Sequence, residues 1–353
     1  MVFPVCYSCI VFLYLVFHAA EETPVMAQVP PVFVALSNKG GVSKTTDTSL
    51  MAEYACIIRR KRCAIIDFDG QLNATAQWVG CEYVNGYREP PEHPDITDED
   101  LGEFNKRSAI TDLYRGKSVL PYPTKLGPED PDDITAPRVD IIPCSASGMQ
   151  WVQETISPEE NENANPIKTL GRQMVSGVPT ADVVRGLYDF CRQPELRDYY
   201  DLVLVDSGPG VNTLFAAALN AATHVLVPYI PENYSLMGIG PLLFNYNQAN
   251  RNRPLGADKI KFLGLLPSKV DTRNNVHNDM VAETLRNPST SKAHVPEGYF
   301  VPSSVHITRR STLNRPSMPY SIFDMKPSEP IRQKCEMVFG YLFDKIFEGE
   351  AQA

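Results

Sequence analysis

The sequence predicts an α/β fold, a mostly parallel twisted sheet flanked by helices on both faces. Three observations lead to it. Short apolar runs recur at residues 32–36, 63–69, 139–142, 202–205, 225–227 and 262–266. Helical stretches separate them, as parallel strands buried on both faces require. Glycine-bearing or acidic residues stand at the carboxyl ends of several runs, where ligands bind in such sheets. With 353 residues, 43% of them hydrophobic, the chain can bury a proper core. A net charge of −9 excludes a surface coated in basic residues, so any nucleic-acid contact must come from a local patch.

Taken in order, the chain opens on an apolar stretch from Val5 to Phe17. No Lys or Arg precedes it, and it is shorter than the ~20 residues that span a bilayer. Residues 1–25 are therefore read as an extension ahead of a translation start at Met26, with a membrane anchor as the alternative. Residues 26–353 are read as one domain with loop insertions near 82–137 and 151–166. Within the first, Glu89 to Asp100 and Pro121 to Asp133 are dense in Pro, Asp and Glu, which suits exposed loops, and 108–114 suits a short helix. Ser157 to Pro166 is a further polar, acidic stretch. In the last segment Ile331, Cys335, Val338, Leu342 and Phe347 fall near helical spacing. Asp344, Glu348 and Glu350 against Lys345 give that segment the wrong sign for anionic lipid, so it is expected to pack on the core.

Eight cysteines show no repeating spacing, and the Cys6/Cys9 pair lies in the apolar extension. Reduced thiols in a reducing compartment are the simpler reading.

Chemistry concentrates at Ser37-Asn38-Lys39-Gly40-Gly41-Val42-Ser43-Lys44-Thr45-Thr46, between the first strand and a helix expected over residues 46–59. A glycine-rich turn ahead of a helix N-terminus forms a cradle of N–H groups for phosphate. Lys44 would reach the outer phosphates, and the Thr45 hydroxyl would sit on Mg²⁺. The strict G-x-x-x-x-G-K-[ST] pattern fails, because Asn38 and Ser43 occupy its glycine positions. A Gly-Gly turn beside a helix cap is the alternative for the loop alone. Downstream, Asp67-Phe68-Asp69-Gly70-Gln71-Leu72-Asn73-Ala74-Thr75 places two carboxylates at a strand end, and Asp206-Ser207-Gly208-Pro209-Gly210 closes another apolar run.

The loop resembles the deviant phosphate-binding motif of the ParA/MinD superfamily of ATPases, K-G-G-V-G-K-T. The acidic segment resembles that family's D-x-D-P-Q-x-N-A-T, with Gly70 in place of proline. Asp206 falls at the family's strand-end aspartate, where Ser207-Gly208-Pro209 departs from C-P-P. Val227 to Gly238 is similar to I-P-x-x-x-E-x-x-A-L-x-G, and Asp271-Thr272-Arg273 fills a D-x-R position. Ile307 to Arg310 loosely echoes I-P-R-N.

The resemblance implies a P-loop NTPase-like fold, ATP and Mg²⁺ as cofactors, and slow, partner-stimulated hydrolysis. It implies an ATP site of Lys39, Gly40, Gly41, Val42, Ser43, Lys44, Thr45 and Thr46, with Arg309 near the adenine. Thr45, Asp67 and Asp206 would serve the metal. Lys39, Lys44 and Asp69 would be the catalytic set, Lys39 reaching across a homodimer and Asp69 orienting the attacking water. Arg273 would grip non-specific DNA. Thr312 falls at the family's second arginine position, where Arg309, Arg310 and Arg315 could substitute as a local patch for phosphates, with a solvated basic loop as the alternative. A ParB-like centromere-binding protein is the implied partner in plasmid or chromosome partitioning. The setting would be cytoplasmic and nucleoid-associated, with no membrane contact. A MinD-like positioning ATPase at a membrane, an ATP-binding scaffold without hydrolysis and an iron–sulfur reductase relative stay open, although Cys144 and Cys191 lack the setting the last would need.

Overall fold

A computed structural model describes residues 29–130, 133–155, 180–232, 235, 238–253, 258–271, 273–286 and 321–348. The extension with Cys6 and Cys9, the 157–166 stretch and Arg309, Arg310 and Arg315 lie outside the described residues.

The elements follow the expected alternation. β1 (Val32–Ala35) leads through the glycine-rich loop into α1 (Lys44–Glu53). β2 (Arg62–Phe68) and α2 (Asn73–Trp78) come next, then a hairpin of β3 (Glu82–Val84) and β4 (Tyr87–Glu89). A short edge strand β5 (Tyr122–Pro123) precedes β6 (Arg138–Ile142), α3 (Ala146–Thr155), α4 (Thr180–Phe190) and α5 (Pro194–Tyr199). β7 (Leu202–Ser207), α6 (Thr213–Ala221), β8 (His224–Tyr229) and α7 (Ile239–Arg251) follow. β9 (Lys261–Pro267), α8 (Asn275–Arg286) and α9 (Pro330–Ile346) complete the described chain.

Seven strands form one sheet in the order β5-β6-β2-β7-β1-β8-β9, parallel throughout except for β5. Alternate strand residues supply two cores. Val32, Val34, Ala64, Ile66, Val203 and Val205 face α3, α4, α6 and α7. Phe33, Ala35, Cys63, Ile65, Leu202 and Leu204 face α1, α2 and α9. Burying both faces explains why these strands read as unbroken apolar runs rather than alternating ones. In α9, Ile331, Cys335, Val338 and Leu342 are buried in the second core, so this helix packs on the sheet as expected. No helix among the described residues is long and apolar enough to cross a membrane.

Three local expectations need correction. The first helix starts at Lys44 rather than Thr46 and ends in a wider π turn over Tyr54–Ile58. That turn sets the Tyr54 ring edge-on against Phe323 and Phe343. The supposed loop insertion near 151–166 begins inside α3, where Val152 is fully buried. The 82–137 insertion is packed rather than merely exposed: His93, Ile96 and Tyr122 are buried, and Tyr122 donates its hydroxyl to the Pro91 carbonyl at 2.9 Å. Scattered Pro and acidic residues hid these few anchoring side chains. The short helix expected at 108–114 is present as a 3₁₀ segment over Ile110–Arg115.

The topology fixes where a ligand can bind. From β1 the chain crosses toward β2, and from the adjacent β7 it crosses the other way, toward β8. The crevice at the carboxyl ends of β1 and β7 is the switch point of the sheet.

Candidate functional site

The glycine-rich loop fills that crevice. Gly41 (φ +75) and Ser43 (φ +87) are both left-handed, flanking the buried Val42. Left-handed residues set among ordinary ones make successive N–H groups converge on one concavity. Ser43 stands where glycine would be free of strain, and a left-handed non-glycine residue costs about 1–2 kcal/mol. It caps α1 without a side-chain hydrogen bond, so the first-turn amides stay available. Gly40 is exposed, and Thr45 and Thr46 are half-buried in that first turn.

Lys44, the first residue of α1, is buried. Desolvation lowers its pKa, opposed by the charges of Asp206, Asp69 and Asp47. Asp206 is the penultimate residue of β7 and Asp67 that of β2, in direct register across the two strands, with Ala35 of β1 opposite Asp206 on its other side. Both aspartates are fully buried. Asp67 Oδ2 accepts from the Thr75 N–H at 2.8 Å and the Thr75 hydroxyl at 2.7 Å, while Oδ1 accepts from the Asp69 N–H at 3.2 Å. Burial pushes its pKa up to about 6 despite those donors. Neither oxygen of Asp206 completes a hydrogen bond. Burial and the neighbouring Asp67 hold its pKa well above the usual carboxylate range, and the nearby Thr45 hydroxyl opposes this.

An orphaned carboxylate next to a hydroxyl and an anion cradle suits a hard, oxygen-seeking cation. Among the described residues no three His, Cys, Asp or Glu side chains form a metal cluster, so such a cation would complete its shell with ligand and water oxygens. Cys144 and Cys191 are fully buried, and burial pushes the Cys191 thiol up to about 12 and raises that of Cys144 well above its ordinary value. That disfavours the thiolates a cluster would require.

Asp69 lies at the rim of the crevice. Its Oδ1 accepts from the Gln71 N–H at 3.1 Å and lies 3.3 Å from where a Cβ on Gly208 would stand. The departure at Gly208 thus gives Asp69 room beside the Asp206 turn. Lys39 is half-exposed and pairs with Glu232, from the loop after β8, at 3.2 Å. Arg273 faces solvent: its side chain is 90% exposed and pairs with Asp271 at 3.2 Å.

Two residues of the cluster do not stand out in the sequence. Asp47 is fully buried on α1, and Lys269, just beyond β9, donates to the Gly41 carbonyl at 2.7 Å. An acid near a helix start is ordinary in sequence. Only the fold shows that it is enclosed.

The chain is similar in sequence and fold to known nucleotide-binding proteins. Residues 33–316 match CbiA, the CobQ/CobB/MinD/ParA nucleotide binding domain. Protein IncC of Escherichia coli is 40% identical over 261 residues, covering 73% of this chain and 56% of its own. The chromosome-partitioning ATPase Soj of Thermus thermophilus is 24% identical over 302 residues, covering 84% of this chain and 89% of its own. Among solved structures, a cobyrinic acid a,c-diamide synthase from Mycobacterium smegmatis with bound ADP and magnesium shares the fold. It superposes with a TM-score of 0.57 at 15% identity, over 92% of this chain and 97% of that one.

Proposed function

The chain belongs to the CobQ/CobB/MinD/ParA nucleotide-binding family, and on that footing we propose that it is a ParA-type partitioning ATPase. The observation that carries this reading is the orphaned Asp206 carboxylate beside Thr45 and Lys44, at the head of the left-handed loop. The loop amides from Gly40 to Thr46 cradle the phosphates of ATP, and Lys44 supplies positive charge to the outer ones. Thr45 and Asp206, with Asp67 oriented by Thr75 beside them, would hold Mg²⁺. When bound, the ion neutralises charge on the transferring phosphoryl group. Asp69 orients the attacking water from the rim, and Arg309 borders the adenine.

Lys39 leaves Glu232 to complete the site of a second subunit in an ATP-dependent homodimer. Arg273, with Arg310 and Arg315, contacts the phosphates of non-specific DNA. A ParB-like centromere-binding protein stimulates turnover, and the complex works in the cytoplasm on the nucleoid to partition a plasmid or chromosome. The partitioning role of the Soj relative supports this assignment. The test is titration of a fluorescent ATP analogue against the wild type and Lys44→Ala, followed by phosphate release with and without DNA and the product of the adjacent gene. Loss of binding in Lys44→Ala and stimulated release in the wild type are expected. Unchanged affinity in the variant would refute the phosphate role. Binding with no release under any condition would leave a nucleotide-dependent scaffold.

A further inference from the structure

The segment after β9 reaches into the phosphate loop. Lys269 Nζ donates to the Gly41 carbonyl oxygen at 2.7 Å. It does so from a left-handed backbone, φ +53, which costs a non-glycine residue about 1–2 kcal/mol. Such strain persists only where the surroundings hold it. Here the preceding Ser268 is fully buried and its N–H donates to the Tyr229 carbonyl at 2.7 Å, fixing the path of the chain. On the α1 side Asp47 is fully buried, and neither of its oxygens completes a hydrogen bond. Burial holds its pKa well above the usual carboxylate range, opposed by the charge of Lys269 and by the neighbouring Ser268 hydroxyl. A strained backbone and a lysine committed to a carbonyl therefore meet at one peptide unit, with the buried Asp47 carboxyl near enough to feel the lysine's charge.

That unit joins Gly41 to Val42. A trans peptide is planar, with its C=O and N–H pointing in opposite directions. Holding the Gly41 oxygen toward Lys269 turns the Val42 N–H the other way, away from the lysine. We infer that Lys269 is a positioning residue for the phosphate loop, fixing the Gly41–Val42 peptide for phosphate binding, and that the buried Asp47 carboxylate keeps its ammonium group in place. Lys269 acts through the loop and makes no contact with the nucleotide. The inference rests on the ATPase reading of the same site.

The experiment compares wild type, Lys269→Met, Lys269→Arg, Asp47→Asn and the double variant Lys269→Met/Asp47→Asn. Each is titrated with a fluorescent ATP analogue and Mg²⁺ and assayed for steady-state hydrolysis. Lys269→Met should bind about tenfold more weakly, the scale of one charge-assisted hydrogen bond. KM should rise by a similar factor while kcat changes less than about twofold, because ground state and transition state lose the same restraint. Lys269→Arg should recover most of the affinity. Asp47→Asn should weaken binding less than Lys269→Met does, and the double variant should be no weaker than Lys269→Met alone. Thermal unfolding without nucleotide checks folding, and Lys269→Gln replaces the methionine variant should that one fail to fold. Wild-type affinity in the folded Lys269 variant, or losses that multiply in the double variant, would overturn the inference. Lys44→Ala run alongside separates the two levels: if it too binds ATP normally, the ATPase reading itself fails.

Discussion

Asp67 and Asp206 stand side by side on neighbouring parallel strands, yet three donors engage the first and no hydrogen bond reaches the second. In the proposed ATPase this asymmetry would divide their work. Asp67 is a carboxylate already fixed by Thr75, which also accepts from the Cys144 N–H at 3.1 Å and so ties β2 to the end of β6. Asp206 is held in reserve, at a cost to the free protein. An uncompensated buried charge, or the proton needed to neutralise it, destabilises the fold by several kcal/mol.

Asp206→Asn should accordingly stabilise the protein without nucleotide by about 1–3 kcal/mol, raising Tm by a few degrees. The same variant should lose the extra Mg²⁺-dependent stabilisation that an ATP analogue confers on the wild type. Scanning calorimetry with and without Mg²⁺ and analogue checks both halves. A destabilised variant that keeps the Mg²⁺ response would show that Asp206 is structural.

Ser43 carries the strain of the phosphate loop at φ +87. Ser43→Gly relieves it and should add about 1 kcal/mol of stability in denaturant unfolding, because no side-chain hydrogen bond at this cap is lost. Nucleotide affinity should hold or improve. A drop in stability would mean that the serine side chain makes a contact outweighing its backbone strain.

Asp140 offers a pH test away from the site. It accepts from the Tyr200 hydroxyl at 2.9 Å, and burial pushes its pKa up to about 6. The folded state therefore holds this proton more tightly than the unfolded chain, whose aspartates titrate near 3.9. Its stabilising contribution is complete below about pH 4 and disappears as pH rises through about 6, a change on the order of 2–3 kcal/mol. Urea unfolding of Asp140→Asn across that range should lack this decline. Parallel pH profiles for variant and wild type would contradict the assignment.

Much of the fold was legible because each central strand is buried on both faces and therefore shows as a continuous apolar run. The acids that matter end those runs, at Asp67 and Asp206. The edge strand at Tyr122 was not legible, since two residues among prolines carry no period. The partnership of Lys39 with Glu232, and of Lys269 with Gly41, was equally hidden. Each joins segments far apart in sequence through a loop after a strand, and no local pattern records which loop ends face one another. Gly208 read as a departure from its family, whereas the structure shows the room it leaves for Asp69.

Arg273 is the one DNA-contact candidate within the described residues, and its exposure leaves it free to exchange Asp271 for a phosphate. Arg273→Glu should weaken binding to unrelated duplexes alike and reduce the slope of log K against log salt by about one phosphate contact. Filter binding or anisotropy at several salt concentrations reads this directly. An unchanged slope would make Arg273 ordinary surface.

In the proposed dimer Lys39 would give up its pairing with Glu232 for a second subunit. With both side chains nearly half-exposed, that ion pair contributes at most about 1 kcal/mol, less than a charge-assisted contact to phosphate. The most direct measurement is a crystal structure grown with a non-hydrolysable ATP analogue and Mg²⁺. Expected are a triphosphate in the loop from Lys39 to Thr46, metal against Thr45 and Asp206, and Lys39 turned from Glu232 onto the nucleotide of the other protomer. An empty loop with Lys39 still on Glu232 would contradict it.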